Sequence, residues 1–326
     1  MKRILCFFLA LFLLLPLATA CGTDDTTVKV GVLSGTTGMG AVKMIEEGDE
    51  RFSVEIYSAT NPQALLTDLT AGTVDLAAIP TNAAAKLYNA TGGKIRMLAL
   101  NTLGVLYLLD TTGEIETLAD LEGKEIYIPM PGQNPEYILR HILAENGIEA
   151  NVKTDIADAD MLATALLSNA AQHADVTIAV LPQPKVTVVK NQAAQQGKAL
   201  TVALDLSAEW DKIEDTPIAQ GCLVGRADFV DKNPALVLEF LRSYKASVEF
   251  VADPENLDEA ANLIVSCGII PKAPIAKAAL PYCGISYLAG RDMRATLTAF
   301  YGVLFEFAPA SIGGKLPLAD FYYGAD

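Results

Sequence analysis

From residue 28 the sequence alternates short apolar runs with helical stretches, and after Gly104 the same alternation starts again. In the first block 28–33, 52–57, 75–79 and 95–100 read as strands. Asn61-Pro62 and Pro80-Thr81-Asn82 begin helices between them, and Gly72 ends the first. Asn before Pro is a helix-start pattern, because the amide caps free N–H groups and Pro is preset for the first turn. Strand, helix, strand at this spacing predicts a parallel sheet with right-handed crossovers. In the second block strands fall at 105–109, 123–128, near Val152, at 176–181 and at 200–206. Its helices follow Asn134-Pro135, cover 161–167 and run up to Gln196. After Asp215-Thr216-Pro217 a strand returns at 220–226, and the rest is mostly helical. Asn233-Pro234 opens a long helix with Val237, Leu241, Tyr244, Val248 and Val251 on one stripe, and further helices cover 257–265 and 293–307. The restart and its end predict two units: a discontinuous one, 27–103 plus 221–326, and 104–220 inserted into it.

The chain has 326 residues, enough for about two compact units. With 51% apolar and 19% charged residues it is not a disordered sequence. Its formal net charge of −15 and lack of an arginine-rich tract exclude nucleic acid as a partner class. Lys2 and Arg3 precede an apolar run at 4–15, broken by Pro16 and followed by Leu17-Ala18-Thr19-Ala20-Cys21. This reads as an export signal over 1–20, since the run is shorter than the ~20 residues of a membrane span. Cys after small residues resembles the bacterial lipoprotein signal, in which the thiol is lipidated, although Ala18 stands where that signal prefers Leu. The alternative is an ordinary signal peptide with a chance Cys. Residues 21–26 are small and polar, as a tether would be. Beyond them lie Cys222, Cys267 and Cys283. Either Cys267 and Cys283 close a local loop or all three pack as buried thiols. With no CxxC or Cys/His cluster, no metal site and no cofactor are expected.

Three strings carry a family resemblance. Leu118-Ala119-Asp120-Leu121-Glu122-Gly123-Lys124 resembles the segment that opens the second lobe of ABC-importer solute-binding proteins. Gly72-Thr73-Val74-Asp75-Leu76-Ala77 is similar to a strand entry of the same proteins. Phe229-Val230-Asp231-Lys232-Asn233-Pro234, followed by Val237, Phe240, Leu241 and Tyr244, resembles the C-lobe helix of their nitrate/taurine/sulphonate and thiamine-precursor branch. The resemblance covers roughly residues 28–325. It implies a two-lobed type II periplasmic-binding-protein fold, each lobe a mostly parallel sheet flanked by helices, with a hinge of two crossings. It further implies an extracytoplasmic, non-enzymatic protein, monomeric and held to a bacterial membrane through lipid on Cys21, which passes a small molecule to an ABC permease and its ATPase. A lyase-like enzyme and a sensory domain on the same fold are the alternatives.

Ligands of open α/β sheets bind beyond the carboxyl ends of the strands. The loops concerned are 34–40, 80–82, 101–102, 131–134 and 182–183. Their polar residues are Ser34, Thr36, Thr37, Thr81, Asn82, Asn101, Thr102, Gln133, Asn134 and Gln183. Each is equally suited to be a turn or cap residue. None of these loops contains Lys, Arg or His, which disfavours a dianionic ligand needing a bidentate Arg. Tyr107, Tyr127 and Tyr137 are candidates for stacking on a ring, against ordinary core packing. His141 and His173, the only histidines, accompany no nucleophile motif and read as surface residues. No catalytic residue is therefore assigned.

Overall fold

The computed structural model describes residues 27–59, 61–168, 171 and 175–325. The export signal, Cys21, the rest of the tether and His173 lie outside the described residues. The chain builds β1 (Val28–Leu33), β2 (Phe52–Tyr57), β3 (Leu76–Pro80) and β4 (Ile95–Leu103) in one sheet. It then crosses to a second sheet for β5 (Leu106–Asp110), β6 (Glu125–Tyr127), β7 (Asn151–Lys153), β8 (Ile178–Pro182) and β9 (Thr201–Asp205). It returns to the first as β10 (Ala219–Arg226) and β11 (Ile285–Leu288). The sheet orders are β11-β4-β10-β3-β1-β2 and β7-β6-β8-β5-β9. The chain re-enters the first sheet at Ala219, two residues before the expected boundary at 221.

Both sheets are mixed, and each has a reversed strand inside it, between two strands of the opposite direction. β1 pairs parallel with β2 and β3, whereas β10 lies antiparallel between β3 and β4. In the second sheet β6 pairs parallel with β7 and β8, and β5 lies antiparallel between β8 and β9. The first strand after each crossing is thus wedged between strands that helices connect. Residues 76–79 of β3 are wholly buried, as expected of a strand covered on both faces. One apolar cluster runs through both sheets, from Ile79 and Met97 through Leu106 and Trp210 to Phe300 and Leu304.

Several local expectations are corrected. All three Asn-Pro pairs stand at helix starts, but none of the asparagines caps its helix. Asn61 precedes helix Pro62–Ala71 without a side-chain cap, Asn233 Nδ2 turns back to Phe229 O at 2.9 Å, and Asn134 is already the first residue of helix Asn134–Glu145. Pro alone fixes these starts by its φ; the amides are free to bond elsewhere. Thr36 and Thr37 lie in a short helix, Thr36–Met39, where a turn was expected. β11 is a strand within the otherwise mostly helical C-terminal region. His141 is not on the surface: it is buried, bonds Glu214 Oε1 through Nε2 at 2.6 Å, and packs on Trp210 and Phe307. Cys222, Cys267 and Cys283 are free thiols, so no local loop is closed. Burial pushes the Cys283 thiol up to about 12.

The first crossing turns sharply. Gly104 has φ 73° and Val105 has φ 92°, a left-handed conformation that a β-branched residue rarely adopts. Gly104 N donates to Ile218 O at 3.0 Å, which binds the two crossings together, and Gln183 N donates to Val105 O at 2.9 Å.

At the end of β5, Asp110 is fully buried and accepts from Thr112 N and Oγ1 at 2.7 Å, Glu114 N at 2.9 Å and Ile115 N at 3.1 Å. Desolvation opposes its charge, but these donors together outweigh it and hold the carboxyl below its ordinary value. A carboxylate with a lowered folded pKa stabilises the fold fully above the unfolded value and loses that contribution as pH falls through the folded one. Asp110→Ala should therefore cost about 2–4 kcal/mol at pH 7, the scale for stranding several donors of a charged acceptor. The gap to wild type should narrow below about pH 4. Urea titrations at pH 7 and pH 3 check this, and an equal gap at both would refute it.

Candidate functional site

Where the second sheet's loop 129–134 meets helix Thr81–Thr91, polar side chains of both sheets interlock. Pro80 ends β3 and the helix begins at once, so Thr81 and Asn82 occupy its first turn, fully buried. Thr81 Oγ1 donates to Ala219 O at 2.5 Å and accepts from Asn134 Nδ2 at 2.8 Å. Asn134 Nδ2 also lies 3.3 Å from Gln220 O, and Tyr301 OH donates to Thr81 O at 2.8 Å. Asn82 Nδ2 donates to Gly132 O at 3.3 Å. Gln133 is half-buried in the same loop, immediately before helix Asn134–Glu145.

A second group surrounds the start of β10. Asn101 Nδ2 donates to Thr37 O at 3.1 Å and to Tyr244 OH at 2.9 Å, and Thr102 Oγ1 donates to Asn101 Oδ1 at 3.1 Å. They close over Gly221, where a Cβ would stand 2.6 Å from Asn101 Oδ1 and from Thr37 Cγ2. Only glycine fits there. Since Gly221 pairs with Pro80 and Thr102, the two groups adjoin.

Other expected residues have structural work elsewhere. Ser34 Oγ accepts from Ala59 N at 3.0 Å and ties the ends of β1 and β2. Gln183 Oε1 accepts from Thr187 N at 3.3 Å and Oγ1 at 3.0 Å, which caps helix Lys185–Gln195. Thr36 is half-buried beside Thr37. Tyr127 packs in the second sheet's apolar cluster, and Tyr107 OH reaches Tyr282 O at 3.5 Å.

Four residues at this seam lay outside the sequence argument. Lys86 stands one turn after Asn82; its Nζ donates to Gly132 O at 2.8 Å and lies 5.8 Å from the Tyr137 ring centre. Burial lowers its pKa, and Glu136 partly offsets that. Lys86 lies inside the helix and not in a strand-end loop, and its i, i+4 spacing from Asn82 is the sequence signal that marks it. Gln220, Gly221 and Tyr244 are the others. Three buried oxygens at the seam, Asn82 Oδ1, Asn134 Oδ1 and Gln220 Oε1, have no hydrogen-bond partner. Buried acceptors are normally satisfied, so these three oxygens need a donor that the side chains around them do not supply.

Two mixed α/β sheets, joined by two crossings and meeting at a polar seam, give a two-lobed α/β fold that solved structures share. The chain belongs to the NMT1/THI5 like family, whose model matches residues 48–257. An ABC transporter structure from Parabacteroides distasonis is similar with TM-score 0.74 and 22% identity, over 91% of this chain and 99% of that one. The periplasmic aliphatic sulphonate binding protein SsuA from Escherichia coli gives 0.66 and 16%, over 86% and 92%. The periplasmic nitrate-binding protein NrtA from Synechocystis PCC 6803 gives 0.53 and 18%, over 74% and 66%. At these identities the likeness is one of fold. No curated protein matches at the level of sequence.

Proposed function

We propose that this protein is the extracytoplasmic solute-binding component of an ABC importer, holding a small organic molecule at the seam between two lobes. The observation that carries the reading is the group of buried, unpartnered amide oxygens on Asn82, Asn134 and Gln220, where elements of both sheets meet. The lobes are 27–103 plus 221–326, and 104–220, with Ala219 and Gln220 at the seam. Thr37, Thr81, Asn82, Asn101, Thr102, Gln133 and Asn134 line it. Capture works by differential affinity: a solute that touches both lobes stabilises the closed arrangement and is released when a permease favours the open one. The chain is anchored by lipid on Cys21 and needs no catalytic residue.

Native mass spectrometry of the protein purified from its source should show a small molecule released on unfolding and not chemically altered on prolonged incubation. Turnover of that molecule would contradict the reading. The anchor has its own test. Cys21→Ala should abolish metabolic palmitate labelling and release the protein from membranes, and equal labelling of variant and wild type would refute the lipid.

A further inference from the structure

Two donors from one sheet's helix converge on a single carbonyl of the other sheet's loop. Lys86 Nζ donates to Gly132 O at 2.8 Å, and Asn82 Nδ2 donates to the same oxygen at 3.3 Å. A carbonyl oxygen has two lone pairs, so these two donors fill it. Both stand on helix Thr81–Thr91, one turn apart and therefore on one face. The Lys86 ammonium also lies 5.8 Å from the centre of the Tyr137 ring, on the helix that follows the loop. Asn134 Nδ2 adds a second tie to the start of the same helix by donating to Thr81 Oγ1 at 2.8 Å.

The loop is shaped to present that carbonyl. Gly132 has φ 71° and Met130 has φ 58°. The left-handed conformation is free for glycine and costly for methionine, so packing and hydrogen bonds must hold the loop in it. Gly132 N donates to Glu136 Oε2 at 2.7 Å, and Glu136 Oε1 accepts from Arg140 Nε at 2.9 Å. The second sheet thus fixes Gly132 from its own side, and the first sheet grips the carbonyl it offers. A hydrogen bond from an ammonium is about twice as strong as one between neutral groups.

We propose that Lys86 and Asn82 form a latch on Gly132 O that holds the two lobes closed without a solute. Every bond in it runs from protein to protein. The Oδ1 atoms of Asn82 and Asn134 take no part in it and stay available to a solute. The latch goes beyond the solute-binding reading. It sets how far the closed arrangement is populated beforehand, and a solute supplies only the rest of the free energy of closure. Releasing a bond from a charged donor shifts such a two-state balance about tenfold.

The test uses full-length protein in detergent, unfolded in urea and refolded by dialysis so that no co-purified small molecule is carried through. Amide hydrogen exchange is followed at 81–84, the first turn of helix Thr81–Thr91, whose residues are all buried. First-turn N–H groups have no partner within their helix, so their exchange reports the access of water to the seam. Lys86→Met keeps the length of the side chain and removes its donors. It should speed exchange at 81–84 about tenfold and leave β1, at 28–33, at the wild-type rate. Lys86→Arg, which keeps a charged donor, should stay close to wild type. Equal rates at 81–84 in Lys86→Met and wild type would overturn the latch. So would wild-type seam amides that exchange as fast as an unfolded chain, because the lobes would then stand open without a solute. Equal acceleration at 28–33 would also overturn it, by showing that Lys86 supports the whole fold. None of these results touches the solute-binding reading, since the test contains no solute.

Discussion

Trp210→Ala should lower the unfolding free energy by about 3–5 kcal/mol, the range for truncating a large buried aromatic. Trp210 ends helix Leu206–Trp210 on the second crossing and is fully buried. Its ring packs on His141 of helix Asn134–Glu145, with centroids 5.2 Å apart, and on Phe300 of helix Gly290–Phe307, at 5.7 Å. Its Nε1 donates to Thr216 O at 2.6 Å. One side chain therefore joins a helix of each sheet to the crossing between them. Removing it opens a cavity, strands the Thr216 carbonyl and loosens the bed of the His141–Glu214 pair. Trp210→Phe keeps most of the apolar volume and loses the N–H donor, so its cost should be about 1–2 kcal/mol. Since Trp210 is the only tryptophan, both variants need far-UV circular dichroism in urea as the probe. A loss below about 1 kcal/mol for the alanine variant would show that the two helices collapse onto each other and that the joint is dispensable.

The parts of this fold that local chemistry encodes were legible in the sequence. Strands such as 28–33 announce themselves by β-branched residues, and Gly72 marks a helix end because it alone adopts φ 80° there at no cost. Strand direction is a different kind of information. Nothing in 220–226 says that it enters antiparallel between β3 and β4, because the same side-chain period serves either pairing. The site divides in the same way. The placement of ligands beyond the carboxyl ends of strands led to Thr81, Asn82 and Asn134, which the fold gathers at one seam, but it also led to Gln183 and Ser34, which are engaged in a cap and a strand tie. Asn134 was misread as a cap because Asn-Pro satisfies local rules whether the amide bonds its own helix or a neighbour. His141 gave no sign of burial, since the Glu214 it bonds lies 73 residues away. Long-range partners of single polar residues leave no periodic trace.

Gly284 shows how far one such contact constrains the crossing. It precedes β11 with φ 56°, and a Cβ built there would stand 1.7 Å from Leu103 O, 2.9 Å from Leu103 C and 3.3 Å from Val105 Cγ1. Its own carbonyl accepts from Leu103 N at 2.9 Å, so the backbones at 103 and 284 lie against each other just before the turn into the second sheet. No rotamer change relieves a clash between a Cβ and a backbone carbonyl. Gly284→Ala must push β11 away from β4 or move the crossing, and it also forces a left-handed alanine at a cost of about 1–2 kcal/mol. Adding the overpacking cost of about 1–3 kcal/mol gives an expected loss of about 2–5 kcal/mol. Gly302→Ala is the matched control. It lies within helix Gly290–Phe307 with nothing within 4 Å of a built Cβ, so alanine there should be neutral or stabilising by up to about 1 kcal/mol. Parallel urea melts of the two variants separate contact from propensity. If Gly284→Ala falls no further than Gly302→Ala, β11 yields freely at this edge, and the close packing of 103 on 284 does not hold the first crossing in place.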